Sequence, residues 1–183
     1  VGYAGGTTED PTYYSLGDHT ETVRIEYDPT QISYQKLLDT FWDSHNPTYP
    51  PVSRQYMSLV FYHNEEQQRL ALETKQREQT ASGSEIFTEI VPATEFYLAE
   101  DYHQKYYLRQ VPELIAEMSA IYPEIIDLVA STAAARINGY LGGHGTLKAL
   151  QEQIDSFGLS PAGKDKLLEI ASRKLGGIVC SLK

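Results

Sequence analysis

Tyr56-Met57-Ser58-Leu59-Val60-Phe61-Tyr62-His63-Asn64-Glu65-Glu66-Gln67 passes from an apolar run to the opening of a helix within two residues. The aromatic and β-branched stretch Tyr56 to Tyr62 reads as a strand. Asn64 followed three positions later by Gln67 reads as a capping box, each side chain satisfying a backbone N–H at the helix start. The helix it opens runs to about Ser82, where Gly83 can take the left-handed conformation that closes a helix. A strand is thus handed directly to a helix, and the fold depends on what flanks that pair.

Toward the N-terminus, Ser33 caps a second helix carrying Leu37, Leu38, Phe41 and Trp42 at helical spacing, stopped by Asn46-Pro47. A proline-rich loop, Pro47 to Ser53, separates it from the Tyr56 strand. Before it, Glu21 to Tyr27 alternates: Val23, Ile25 and Tyr27 on one side, Thr22, Arg24 and Glu26 on the other. That is the pattern of a half-buried strand, ended by Asp28-Pro29. Val1 to Gly6 reads as a strand end running into a glycine turn, and Thr7 to Asp18 as a polar loop. Toward the C-terminus, Ile86 to Val91 reads as a strand ended by Pro92, and Ala99 to Arg109 as a short tyrosine-rich helix. Composition changes near Val111. Pro112 to Ile121, Glu124 to Ile137, Leu147 to Phe157 and Pro161 to Lys174 read as helices, with Asn138 to Gly145 a glycine-rich linker between the two pairs. The expected architecture is α+β over residues 1–110, a two-layer sandwich on a mixed or antiparallel sheet, with a helical extension and tail over 111–183.

The chain has 183 residues, 41% of them hydrophobic, enough for an ordinary core without staples. Its formal charge of −10 repels phosphate backbones, so nucleic acid is excluded as an expected partner. One cysteine, Cys180, cannot form an intramolecular disulfide, and nothing points to an oxidising compartment. No apolar run approaches the roughly 20 residues that span a bilayer. The opening Val1-Gly2-Tyr3-Ala4-Gly5-Gly6 has neither an initiator Met nor the features of a signal peptide. A product of a longer chain, resident in the cytoplasm and without membrane association, is therefore expected.

Three polar tips sit where loops meet predicted strands: Pro11-Thr12-Tyr13, His19-Thr20-Glu21 and Arg54-Gln55-Tyr56. Sites are commonly built on loops borne by a rigid sheet. A carboxyl pushed into an apolar pocket stays protonated to higher pH and can donate a proton to a substrate oxygen, which two phenols could hold. On spacing alone, Glu21 is as well read as a solvated residue and Tyr13 and Tyr56 as packing tyrosines. His19 reads as a local hydrogen-bonding residue and Trp42 as core.

The order of Val1-Gly2-Tyr3-Ala4-Gly5-Gly6, Pro11-Thr12-Tyr13, His19-Thr20-Glu21, Tyr27-Asp28-Pro29, His45-Asn46-Pro47-Thr48, Gln55-Tyr56, Phe61-Tyr62-His63 and Ala99-Glu100-Asp101-Tyr102-His103-Gln104 resembles the A-type peptide methionine sulfoxide reductases over about the first three fifths of the chain. The resemblance implies a ferredoxin-like plait. It implies thiol-dependent reduction of methionine-S-sulfoxide, free or in proteins, with repair of oxidised protein as the purpose. Glu21 would be the proton donor and Tyr13 and Tyr56 the groups assisting at the sulfoxide oxygen, together forming the substrate site. No metal or prosthetic cofactor is implied; thioredoxin or another dithiol is the external reductant.

The chain departs from that pattern in three ways. The family's nucleophile lies in a Gly-Cys-Phe-Trp-Gly segment, upstream of the position matched by Val1, and the chain lacks it along with a strand and helix. The loops between Tyr13 and His19 and between Thr48 and Gln55 are short, and the second lacks a site aspartate. In the glycine-rich stretch, Leu141 stands where a resolving cysteine often sits, leaving Cys180 as the thiol available to resolve a sulfenic acid, or else as a tail cysteine of no catalytic role. The alternative function is a non-catalytic relative that binds oxidised methionine or a partner protein.

Overall fold

The computed structural model describes residues 1–176 and divides into two units, Val1–Glu100 and Asp101–Lys183. The first opens with β1 (Gly2–Ala4) and β2 (Thr20–Thr22), followed by α1 (Tyr34–Asp43), β3 (Leu59–Tyr62), α2 (Glu65–Ser82), β4 (Glu89–Pro92) and β5 (Tyr97–Leu98). The strands form two small sheets. β1 is central in an antiparallel sheet of order β2-β1-β5, with Tyr3 opposite Glu21 on one side and Tyr97 on the other. β3 and β4 run parallel, with Val60 opposite Ile90, and α2 makes the crossover between them.

The two helices of this unit start as their sequences predict. Ser33 accepts the Lys36 N–H at the head of α1. Asn64 accepts the Gln67 N–H at 2.9 Å, while the Gln67 side chain accepts the His63 N–H at 2.8 Å, one residue earlier than a strict capping box. Gly83 closes α2 at φ 65°. α1, α2 and the β3–β4 pair meet through Leu38, Trp42, Val60, Ala71 and Ile86, all buried.

Several expected boundaries move. Of the alternating Glu21 to Tyr27 stretch only Glu21 and Thr22 pair as strand, with Thr20 before them; Val23 and Ile25 follow at 67% and 57% exposed, because no neighbouring strand pairs with them among the described residues. The Ile86 strand pairs only from Glu89 and ends on Pro92, not before it, since Pro92 lies at the end of the ladder where its lost N–H is tolerated. The Ala99 to Arg109 stretch contains no single helix. Asp101–His103 forms one 3-10 turn, Lys105 takes φ 52°, and α3 (Tyr106–Arg109) follows.

The second unit continues with α4 (Pro112–Ile121), α5 (Ile125–Ala130), α6 (Thr132–Leu141), α7 (Leu147–Gln153) and α8 (Pro161–Gly176). The expected helix over Glu124 to Ile137 is broken at Ser131, which turns extended and caps α6 by accepting the Ala134 N–H. Asn138 and Gly139, expected in a linker, are helical because Ile137, Tyr140 and Leu141 bury on the same helix face. The Asn138 carboxamide oxygen also accepts the Tyr107 and Leu108 N–H groups, capping α3 from another helix. Leu108, Leu114, Met118, Ile137, Leu150 and Leu167 are wholly buried in one apolar core. At roughly 1.5–3 kcal/mol per buried side chain, this unit has its own source of stability. The mixed α+β character and the helical C-terminal region are as expected from the sequence.

Candidate active site

The site begins with a glycine turn. Gly5 takes φ 82° after β1, and the chain passes through Thr7 and Thr8 before it returns as Asp18-His19-Thr20. Asp18 fastens the two passes together: its carboxylate accepts the Thr7 and Thr8 N–H groups and both hydroxyls, at 2.8–3.1 Å. These bonds, the Thr7 N–H foremost, hold its carboxyl well below the usual carboxylate range. His19, 1% exposed, accepts the Gly6 N–H on Nδ1 and pairs through Nε2 with the Thr8 carbonyl at 2.8 Å. A carbonyl only accepts, so His19 carries its proton on Nε2. It is the local hydrogen-bonding residue expected of it.

Arg54 then joins this clamp to the loop before β3. Its Nε donates to the Asp18 carbonyl at 3.3 Å and its Nη2 to the Gly5 carbonyl at 3.0 Å. In return the Thr20 hydroxyl donates to the Arg54 carbonyl, and the Glu21 N–H to the Gln55 carbonyl. The Gln55 carboxamide donates to Glu21 Oε1 at 2.7 Å. Tyr56, next in the turn, is therefore delivered beside Glu21.

Tyr13 reaches the same place from the opposite loop. Its N–H donates to Glu100 Oε1 at 2.9 Å, and its hydroxyl lies near that of Tyr56. The Tyr13 hydroxyl is the largest cause of the upward shift of the Tyr56 phenol, and the nearby Glu21 charge adds to it. Tyr13, Tyr56 and Glu21 thus form one electrostatically coupled group, although the first two are 43 residues apart in the sequence. Tyr13 is 36% exposed, Tyr56 60%, and Glu21 is also exposed.

Glu21 and Tyr56 line a cleft of about 550 Å³, walled by Leu37 and Phe41 of α1, Val60 of β3, and Val23. Glu21 is exposed at this cleft and is not enclosed in an apolar pocket. The reason is local: among the described residues β2 has a partner on one edge only, and Glu21 points away from its buried neighbour Thr20. Of the four residues singled out from the sequence, three converge. The fourth, Cys180, lies outside the described residues. Sequence reading passed over Asp18, Glu100 and the anchoring part played by Arg54. The available signals were an aspartate facing a Gly-Thr-Thr turn and an arginine beside the glutamine and tyrosine already noted.

Among the described residues no helix is long and apolar enough to cross a membrane. The family model described as "Peptide methionine sulfoxide reductase" matches residues 1–128, and that described as "Selenoprotein methionine sulfoxide reductase A, helical domain" matches residues 126–170. A peptide methionine sulfoxide reductase of Drosophila melanogaster is 43% identical over 163 residues, covering 88% of this chain and 65% of its own length. Peptide methionine sulfoxide reductase A5 of Arabidopsis thaliana is 44% identical, covering 76% of this chain and 57% of its own. Peptide methionine sulfoxide reductase MsrA of Methanosarcina acetivorans is 48% identical over 118 residues, 58% of this chain and 63% of its own. The chain therefore spans less than two thirds of these relatives' lengths. Reduced Mxr1 from Saccharomyces cerevisiae superposes at a TM-score of 0.56 with 30% identity, over 61% of this chain and 69% of that one.

Proposed function

Because the chain belongs to the peptide methionine sulfoxide reductase family, we propose that the complete protein reduces methionine-S-sulfoxide, free or in proteins, to methionine. Glu21 is the proton donor, and the Tyr13 and Tyr56 hydroxyls hold the sulfoxide oxygen. The observation that carries this reading is the convergence of Glu21 and Tyr56 on an apolar-walled cleft, with the Tyr13 phenol beside that of Tyr56. The methyl and methylene groups of a methionine side chain suit the apolar walls, and its oxygen suits the polar rim.

The chemistry needs a thiolate. It attacks the sulfoxide sulfur while a proton from Glu21 goes to the oxygen, which is a poor leaving group until protonated. An S–S bond forms as the protonated oxygen departs as hydroxide; that hydroxide then adds to the former thiolate sulfur as the S–S bond breaks, so methionine leaves with the electron pair and the two-electron-oxidised thiol remains as a sulfenic acid. A second thiol displaces water from the sulfenic acid to form a disulfide, and a dithiol such as thioredoxin reduces it. Neither a metal nor a prosthetic group enters these steps. The attacking thiolate is assigned to the family's Gly-Cys-Phe-Trp-Gly segment, upstream of the position matched by Val1, and the resolving thiol to Cys180. The helical-domain family's description as a selenoprotein supports a selenolate as a second candidate for the attacking atom.

The reading extends to three coarser matters. The antiparallel β2-β1-β5 sheet and the parallel β3–β4 pair are taken as parts of one ferredoxin-like plait. Residues 1–110 are the reductase body and 111–183 a helical extension. Cytoplasmic residence is the compartment in which thioredoxin-type reductants are at hand. The deciding experiment incubates the complete protein and a dithiol with each epimer of N-acetyl-methionine sulfoxide. Methionine from the S epimer alone is expected. Binding without product would transfer the assignment to a non-catalytic receptor of oxidised methionine.

A further inference from the structure

Glu100 divides its carboxylate between two tasks. Oε2 accepts the hydroxyl of Tyr3 at 2.7 Å, and Oε1 accepts the N–H of Tyr13 at 2.9 Å. Tyr3 is 2% exposed and sits on β1, the middle strand of its sheet, directly opposite Glu21. Its ring is fixed by packing with Leu16 and Ala99, so its hydroxyl is a fixed donor. Tyr13 lies in an exposed turn whose shape comes from bonds between Thr12 and Ser15. Those bonds set the form of the turn; the Glu100 bond ties the turn to Tyr3 of β1.

We propose that Glu100 is a positioning residue of the site: oriented by Tyr3, its carboxylate holds the Tyr13 backbone so that the Tyr13 hydroxyl meets that of Tyr56 beside Glu21. An N–H bonded to an ionised acceptor is shorter and stronger than a neutral pair, which suits it to fixing a loop. Two hydroxyls meet only within a few tenths of an ångström, so a small displacement of the turn separates them. The consequence for catalysis rests on the reductase reading; the positioning itself does not, and is measured without turnover.

The chain is labelled with tyrosine carrying 13C at Cζ, and the Tyr56 resonance is identified by its loss in Tyr56→Phe. The Tyr56 phenol is held above the ordinary phenol value, chiefly by the Tyr13 hydroxyl beside it. Tyr13→Phe sets the level reached when that hydroxyl is gone. Glu100→Ala should bring Tyr56 down to the same level, whereas Glu100→Gln, whose carbonyl oxygen still accepts the Tyr13 N–H, should keep most of the elevation. A folded Glu100→Ala chain in which Tyr56 titrates as in wild type overturns the proposal. Should Glu100→Ala fail to fold, Tyr3→Phe keeps the buried ring and removes the orienting hydroxyl. Tyr56 must then move toward the Tyr13→Phe level, and an unmoved titration again overturns the proposal. In the complete protein, Glu100→Ala should lower kcat/KM by about ten-fold, a loss typical of a misplaced binding group. Adding it to Tyr13→Phe should cost nothing more, and additive losses would refute action through Tyr13. If the wild-type complete protein turns over neither epimer, the reductase reading fails while the titration result stands.

Discussion

Arg54→Leu tests the anchoring of the site most directly. The guanidinium donates to two backbone carbonyls, Gly5 at 3.0 Å and Asp18 at 3.3 Å, and lies 3.8 Å from Glu89. A hydrogen bond from a charged donor contributes roughly 1.5–3 kcal/mol when shielded. Here the side chain is 42% exposed and water can replace it, and one bond is long, so the Coulombic pair with Glu89 adds little. About 2 kcal/mol is expected for the whole change, roughly a thirty-fold fall in the folded-to-unfolded ratio. For a unit of about 100 residues that is a drop in Tm on the order of 10 °C. Urea denaturation of the 183-residue chain measures it. Arg54→Lys should recover only part, since an ammonium lacks the planar fork that reaches two carbonyls together. The same variant should cost the complete protein about a hundred-fold in kcat/KM, because Tyr56 and Gln55 ride on this turn. A loss of stability below about 0.5 kcal/mol, the range of ordinary surface changes, would mean that Arg54 anchors nothing.

Glu21→Gln preserves the shape of the side chain that meets Gln55 and removes the proton. Turnover in the complete protein should fall about 10²–10⁴-fold with KM little changed, and near-wild-type turnover would remove Glu21 from the mechanism. Cys180→Ser should leave the first methionine formed per enzyme intact and impair recycling by thioredoxin; unimpaired recycling would return Cys180 to a residue of no catalytic role. Asp18 has a folded-state pKa far below its ordinary 3.8, so its contribution to stability is present above that value and lost as pH falls below it. The urea midpoint should decline below about pH 4 in wild type and decline less in Asp18→Asn; identical acid limbs in the two would contradict the role given to this carboxylate.

Much of the local structure was legible in the residues. Ser33, Asn64 and Gly83 act within a few residues of themselves, and all three cap as their types demand. Pro112 opens α4 where its missing N–H costs nothing. The strands were less legible. Val23 and Ile25 carry the alternation of a strand, but a strand exists only where a neighbour supplies hydrogen bonds, and among the described residues none does so beyond Thr22. The helical Asn138-Gly139 shows the reverse case, in which the buried face of a helix overrides turn-forming residues, whereas at Ser131 a local cap interrupts a stretch with a helical apolar pattern.

The residue types at the site followed from sequence: a carboxyl and two phenols, each beside a loop, in an order resembling one enzyme family. What tertiary structure alone decided was their meeting. Tyr13 reaches Tyr56 because a carboxylate 87 positions away holds its backbone, and Tyr56 reaches Glu21 because Arg54 and Gln55 bond across 34 positions or more. Chain order encodes local preference, whereas these bonds form only after distant segments have been brought side by side. The open stance of Glu21 follows from the same cause, since the burial of a group is set by what packs around it and not by its own identity.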